Sequence, residues 1–432
     1  MKNFITILTF SSILFFLACD DDTETVTVTE TVNLTDTVTV IETVTDTVTE
    51  IETDTVTVTV TEGIEVLISG NIIADAIWSA DSVYILGGRI AVISGVTLTI
   101  EAGTIIKGQY GTGANATALV VARGATLNAQ GTSTSPIIFT AVADEIQPGE
   151  ILSPNMPSDA GGLWGGVIIL GNAPASLGDD ASESNIEGIP TSDINGLYGG
   201  TDAADNSGTI SYISIRHGGS NIGEGNEING LTLGGVGSAT SIEGVEVVAN
   251  ADDGIEWFGG TVNVSKVLIW NSNDDGLDTD QDWQGTCSDY VIVTPQGGSA
   301  FELDGPEGTA KVNGADGFHT FSNGVVYVGA DADHVVDWDG ATNAALVDLY
   351  IYGWGEYAGT AIESFGGDGA GVSSGWETTL NEGDTLATVL GADAAAITSE
   401  VAAGARTKGP AKSVFDTWTW AGLSGALTTI GL

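Results

Sequence analysis

The feature that most constrains this chain is a short pattern, an apolar residue followed at once by an acid, which returns five times between Asn250 and Gly367. It reads Ile255-Glu256-Trp257-Phe258, Leu277-Asp278-Thr279-Asp280, Phe301-Glu302-Leu303-Asp304, Val336-Asp337-Trp338-Asp339 and Ile362-Glu363-Ser364-Phe365. The offsets are 22 (255 to 277), 24 (277 to 301), 35 (301 to 336) and 26 (336 to 362). A second strand-like run lies before or between the repeats, at Val245–Val248, Val267–Trp270, Tyr290–Val293, Val325–Val328 and Leu349–Tyr352. Recurrence at this spacing, with β-branched runs and Gly/Asn/Asp corners, predicts an all-β solenoid. Coils stack at roughly 4.8 Å, the spacing of hydrogen-bonded strands. Equivalent residues therefore line up as ladders, and one of them is acidic: Glu256, Asp278, Glu302, Asp337 and Glu363.

Charge narrows the partners. Ten Lys and Arg stand against 58 Asp and Glu, a net charge of −48. Nucleic acid is excluded, because no cationic cluster exists to displace its counterions. Cations, metal ions and neutral or basic polymers fit; the plainest role of such a surface is solubility in salty water. The two cysteines, Cys19 and Cys287, do not suggest a disulfide framework, and Cys287 reads as a lone thiol at a coil corner. His217, His319 and His334 sit in no recognisable catalytic pairing motif.

Four segments are expected. Residues 1–18 hold Lys2 and an apolar run from Phe4 to Ala18, too short to span a bilayer as a mature helix, and read as a signal peptide. The run ends in Phe16-Leu17-Ala18-Cys19, which resembles the lipobox of bacterial lipoproteins, although Phe16 and Leu17 depart from its commonest form. The resemblance implies lipidation at Cys19, and hence a membrane partner reached through the anchor. Asp20-Asp21-Asp22 resembles the signal that sends some lipoproteins to the outer face of the outer membrane, so display on the cell surface is expected.

Residues 19–62 are an acidic, Thr/Val-rich tract with Thr at nearly every odd position from Thr25 to Thr61. Period two with β-branched residues says extended strand. Without a partner strand the tract reads as a solvated stalk, which fully extended would span on the order of 120 Å. Its Asp-Thr-Val triplets at Thr37, Thr47 and Thr55 resemble an O-glycan acceptor known from one bacterial phylum. Glycans there would keep Thr/Val edges from aggregating; self-association of several stalks is the alternative.

Residues 63–410 are the solenoid and 411–432 its C-terminal cap, with Trp418 and Trp420 closing the last coil. Near the start, Leu98–Gly103 recurs as Leu119–Gly124 at offset 21; Pro136–Ala141 and Trp164–Leu170 read as further inward-facing strands. Asp144–Gly161 and Gly178–Thr209 read as loops. Asn250 and Asn271, also 21 apart, suggest an Asn ladder at matching corners.

Several blocks in order resemble a large family of bacterial surface lipoproteins. They are Leu98–Gly108, Ala118–Thr132, Pro136–Ala141, Trp164–Pro174, Tyr198–Gly237 and Asn250–Thr261. The likeness covers about residues 66–300. It implies a right-handed parallel β-helix of the pectin-lyase-like kind, and little about activity.

Calcium is the first candidate ligand. Asp274, Asp275, Asp278, Asp280 and Asp282 fall within nine residues, and the alternate spacing of the last three points oxygens to one side of an extended segment. Hard cations take six to eight oxygens. Asp252, Asp253 and Glu256 repeat the arrangement one coil earlier, and Glu302 and Asp304 continue it one coil later. Carboxylates about 5 Å apart repel unless protonated or bridged. The competing reading is a turn ladder of side-chain to backbone hydrogen bonds.

Asn273-Asp274-Asp275-Gly276-Leu277-Asp278 is also similar to a motif of polygalacturonases, which implies a polysaccharide hydrolase or lyase using Asp274, Asp275 and Asp278. The Gly-His-Gly that accompanies that motif is missing here, and between Asp278 and residue 400 the only Lys or Arg is Lys311. The expected function is therefore a binding or structural module, adhering to a polysaccharide or an extracellular protein. Trp257, Trp270, Trp283, Trp338 and Trp354 are expected in the core rather than as sugar platforms.

Overall fold

The computed structural model describes residues 18–20, 23–25, 37–42, 54–59 and 64–432, less 223–227, 294–296, 310–317, 356, 358 and 367–372. It divides into two units, Met1–Gly63 and Ile64–Leu432.

In the first unit the strand Thr37–Glu42 pairs antiparallel with Asp54–Thr59, and Ala18–Asp20 pairs with Thr23–Thr25. The described part of the expected single-stranded stalk is thus paired. A strict Thr/Val alternation makes any two of its stretches complementary, so the tract supplies its own partner. Thr37 lies opposite Thr59, Thr55 opposite Ile41, and Cys19 opposite Glu24. Thr47 and residues 1–17 lie outside the described residues.

The second unit is a parallel β-helix. One sheet has eight strands in the order Val336–Trp338, Phe301–Leu303, Leu277–Asp280, Ile255–Phe258, Leu231–Gly234, Val167–Leu170, Ala118–Val121 and Arg89–Val92. A fifteen-stranded sheet forms the rest of the wall. Its long strands, among them Gly208–Arg216, Ser241–Val248, Asn263–Trp270 and Thr286–Val293, each turn a corner midway. At that corner Tyr212, Gly244, Lys266, Asp289, Asn323 and Asp348 stack in register, all with positive φ. Gly, Asn and Asp enter this conformation at least cost, which explains why they dominate the column.

Successive strands repeat their inward residues. Ile255, Leu277, Phe301 and Val336 form one column, and Trp257, Thr279, Leu303 and Trp338 the next. Trp257 stacks on Trp283 with ring centroids 4.6 Å apart. Trp257, Trp283, Trp338 and Trp354 are buried, as expected; Trp270 instead faces outward beneath Trp420. Each fully buried large apolar side chain contributes about 1.5–3 kcal/mol, so the columns carry the stability of the coil stack.

Three further sequence expectations differ from the fold, besides Cys287, which lies in the core within the strand Thr286–Val293 rather than at a coil corner. Leu98 pairs with Leu127, an offset of 29, while Leu119 belongs to the eight-stranded sheet opposite Ile90. The two blocks are different sides of the helix; both are apolar strands ending at a left-handed glycine, Gly103 or Gly124, and so look like one repeat. Asn271 stacks on Ala249, because Val248 pairs with Trp270, and no Asn ladder forms. Asn250 instead donates to Asp253 O at 2.8 Å, and Asn271 to Ser158 O at 2.8 Å.

The third difference is the C-terminus. The end of the core is filled by Leu390 and Ala394, from the short helices Leu386–Leu390 and Ala392–Ala396. Residues 411–432 run back along the flank, where Phe415, Trp418, Ala421 and Leu427 cover the outward column Leu268, Val291, Val325 and Tyr350. The apolar residues on that outer face would otherwise meet water, and that drives the docking. Buried Glu246 pins the segment, accepting from Trp420 N at 2.9 Å, Ala421 N at 3.0 Å and Ser214 Oγ at 2.6 Å.

Trp418→Ala is expected to cost about 3–5 kcal/mol, as deletion of a buried Trp does. It should release the C-terminal segment to limited proteolysis before the coils melt. Cleavage and melting that remain coincident would place the segment inside the cooperative unit of the coils.

Candidate functional site

The eight-stranded sheet changes character along its length. Its outward column runs Ala91, Val120, Ile168, Thr232, Glu256, Asp278, Glu302 and Asp337, and the bridge between Val336 and Ile362 extends it to Glu363. The apolar end is covered by a cluster that includes Ile186, Ile189, Tyr198, Ile228 and Phe258. The acids follow this apolar end, and Glu256 and Asp278 are buried although they face outward.

A second column lies in the turn before each strand. Backbone bonds from Gly230 N to Asp253 O, Gly254 N to Asp275 O, Gly276 N to Ser299 O and Ala300 N to His334 O align Asn229, Asp253, Asp275, Ser299 and His334. Each coil therefore presents a turn residue and, three positions on, a strand residue: Asp253 with Glu256, Asp275 with Asp278, Ser299 with Glu302, His334 with Asp337.

These columns gather acids in three groups. Asp253, Glu256 and Asp278 are all buried, with ligand oxygens within 4.8 Å of one another. Asp252, Asp253 and Asp274 make a more exposed group alongside it. The third group, His334, Asp337 and Glu363, lies farther along the same sheet. Asn229 donates its amide to Glu256, while Asn229 Oδ1 and Asp278 Oδ1 are buried with no donor on them among the described residues. Buried polar atoms are ordinarily satisfied, so an orphan oxygen on one of the three carboxyls and another on the neighbouring Asn229 mark a place for a proton or a cation.

Electrostatics agree with the geometry. Burial, and then the neighbouring carboxylates, push Asp253, Glu256 and Asp278 well above the usual carboxylate range. Burial, reinforced by the hydrogen bond to Asp275, pushes Glu302 up to about 9. Burial, followed by the charge of Glu307, takes Asp280 to about 7, and burial with Asp339 raises Asp304.

Other expected ligands have local work. Asp275 accepts from Ser299 N, and Asp253 from Asp275 N at 2.9 Å, so these two carboxylates also brace the turns. Asp280, opposite Phe258, falls in a neighbouring column, and Asp304 continues beyond its strand. Asp282 leaves the row: Gln281 and Asp282 both adopt left-handed conformations, which turn the chain, and Asp282 accepts from Gln284 Nε2 at 3.0 Å. The alternate spacing of Asp278, Asp280 and Asp282 therefore holds only for the first two. Asn229 and His334 escape a reading of the sequence, because the turn column is invisible until the strand register is fixed.

A different surface lies on the fifteen-stranded sheet. An open groove of about 570 Å³ is lined by Ser241, Glu243, Asn263, Ser265, Thr286 and Ser288, from three successive coils. Its walls are mainly hydroxyl and amide columns rather than carboxylates.

Stacked parallel coils with ladders of like residues define a parallel β-helix. The family model of the pectate-lyase-like beta helix domain matches residues 70–381, most of the chain, and the chain belongs to that family. No curated protein and no solved structure matches it significantly.

The raised carboxyls carry a prediction about pH. The folded values of Glu302 (about 9) and Asp280 (about 7) lie above their ordinary values of 4.5 and 3.8. The folded chain thus holds protons that the unfolded chain releases, and the associated stability is lost as pH rises through 7 and 9. In EDTA, the melting temperature should be lower near pH 8.5 than near pH 5.5, and Glu302→Gln should flatten the slope. A melting temperature that rises over this interval would contradict the assignment.

Proposed function

We propose that the chain is a lipoprotein anchored through Cys19 in the outer membrane and displayed on the cell surface, whose β-helix is a rigid binding and structural module stabilised by calcium. The observation that carries this reading is the buried triad Asp253, Glu256 and Asp278, in which Asp278 Oδ1 is an orphan, with a second orphan oxygen, Asn229 Oδ1, beside it. Three carboxylates in contact require neutralisation, and calcium accepts an all-oxygen set of variable geometry. Asp252, Asp274, Asp275, Asp280 and Glu302 add negative potential at the triad.

The anchor rests on the apolar run ending at Cys19, and the paired Thr/Val strands fit a spacer, glycosylated at Thr37, Thr47 and Thr55, that holds the module off the membrane. For the partner, the groove of Ser, Thr and Asn suits the hydroxyls of a neutral polysaccharide or the backbone of an extracellular protein.

Polysaccharide cleavage by Asp274, Asp275 and Asp278 is the weaker reading. A β-helical lyase wants a Lys or Arg base. Among the described residues each Lys and Arg is engaged elsewhere: Arg89 with Gly188 O, Lys107 with Asp144 O, Arg123 with Glu183 and Arg216 with Ser214. The others are Lys266 with Glu243, Arg406 with Pro410 O, Lys408 with Asp348 and Lys412 with Asp416.

Thermal unfolding tests the cation. Millimolar calcium should raise the melting temperature of the EDTA-treated protein by several degrees, because a ligand that binds only the folded state stabilises it by mass action. Chelation should reverse the shift and Asp278→Asn should abolish it. An unchanged transition in the wild type would return the acids to architecture alone.

A further inference from the structure

The coil geometry that builds the buried triad builds it a second time. In the first group the turn residue is Asp253, the strand residue Glu256, and the third member, Asp278, is the strand residue of the next coil. In the second group these places are taken by His334, Asp337 and Glu363. The donor set and the exposure differ: the buried all-oxygen cradle has become one imidazole and two carboxylates that solvent can reach.

His334 is oriented as a ligand. Its Nδ1 lies 2.6 Å from Thr360 O, and a carbonyl only accepts, so Nδ1 carries the proton. A bond of this kind on the far ring nitrogen fixes the tautomer and aim of metal-binding histidines. Nε2 then faces Glu363 Oε2 at 3.3 Å. A charge-assisted hydrogen bond would close to about 2.7–2.9 Å. Two ligands on a tetrahedral ion with bonds of roughly 2.0–2.1 Å stand about 3.3 Å apart, which is the separation observed.

We infer that His334, Asp337 and Glu363 form a second cation site, selective for a borderline transition metal of the zinc class rather than for calcium. Three protein ligands leave one tetrahedral position open, for water or for a donor from a partner. Imidazole is a good ligand for zinc and a poor one for calcium, so the change from Asp253 to His334 at one column position switches the metal preference. This site does not depend on calcium at the buried triad.

The test uses the full chain, stripped with EDTA and returned to excess calcium so that oxygen-only sites are filled, then titrated with zinc chloride. Cobalt(II) serves as a spectroscopic stand-in. The expected result is one zinc equivalent, with visible cobalt bands that zinc displaces. The second readout is diethylpyrocarbonate modification. His217 and His319 are buried, so His334 is the accessible histidine, and zinc should protect it. His334→Ala should weaken zinc binding at least about tenfold, and Glu363→Gln should weaken it too, both with unchanged circular dichroism. Asp278→Asn should leave zinc binding intact while it removes the calcium effect. Zinc binding that is absent in the folded wild type, or equal in His334→Ala, overturns the site whatever the calcium result.

Discussion

The structure depends on one constraint: parallel strands stacked at the hydrogen-bond spacing place like residues against like. Inside, this is favourable, because Ile255, Leu277, Phe301 and Val336 pack as a continuous apolar column. Outside, it sets Glu256, Asp278, Glu302 and Asp337 one above another in register. Two charges about 5 Å apart repel by roughly 3 kcal/mol at an effective dielectric of 20, and a column repeats that term at each step. Such a ladder persists only with protons or cations in it. The raised carboxyls, the orphan oxygens and the two three-residue cradles are consequences of the same stacking.

Each outer face answers the constraint differently. Where the outward column is apolar, another part of the chain covers it: the loop segments with Ile186 and Tyr198 on one sheet, residues 411–432 on the other. Where it is hydroxylic, as at Ser265 and Ser288, it stays open as a groove. Where it is acidic, neutralisation is needed. The buried Glu246 shows a fourth solution, since its carboxylate accepts from two backbone amides of the docked C-terminal segment.

Much of this is legible in the sequence. The apolar-acid repeat alone gives the register of the last coils, because each strand exposes one acid between inward Ile, Leu, Phe or Val. The corners are legible in kind, as Gly, Asn and Asp, but not in alignment. Asn250 and Asn271 share a residue type and a plausible spacing, yet the coil between them is one residue longer than their offset. Leu98 and Leu119 mislead for a related reason, since two sides of one coil can have the same local chemistry. The docking of Trp418 on the flank and the pairing of Asn229 with Glu256 depend on contacts far apart in the chain. His334 is visible as a residue but not as a column member, because its alignment with Asp253 passes through Asp275 and Ser299.

The most direct test of the account is a difference proton titration of the chelated protein near neutral pH, folded against urea-unfolded, followed by calcium addition to the folded form. The ladder predicts that the folded chain holds several more protons than the unfolded chain, and that calcium releases them into solution. Equal proton counts in the two states, with no release on calcium addition, would mean that the outward acids are ionised and solvated, and would contradict the account.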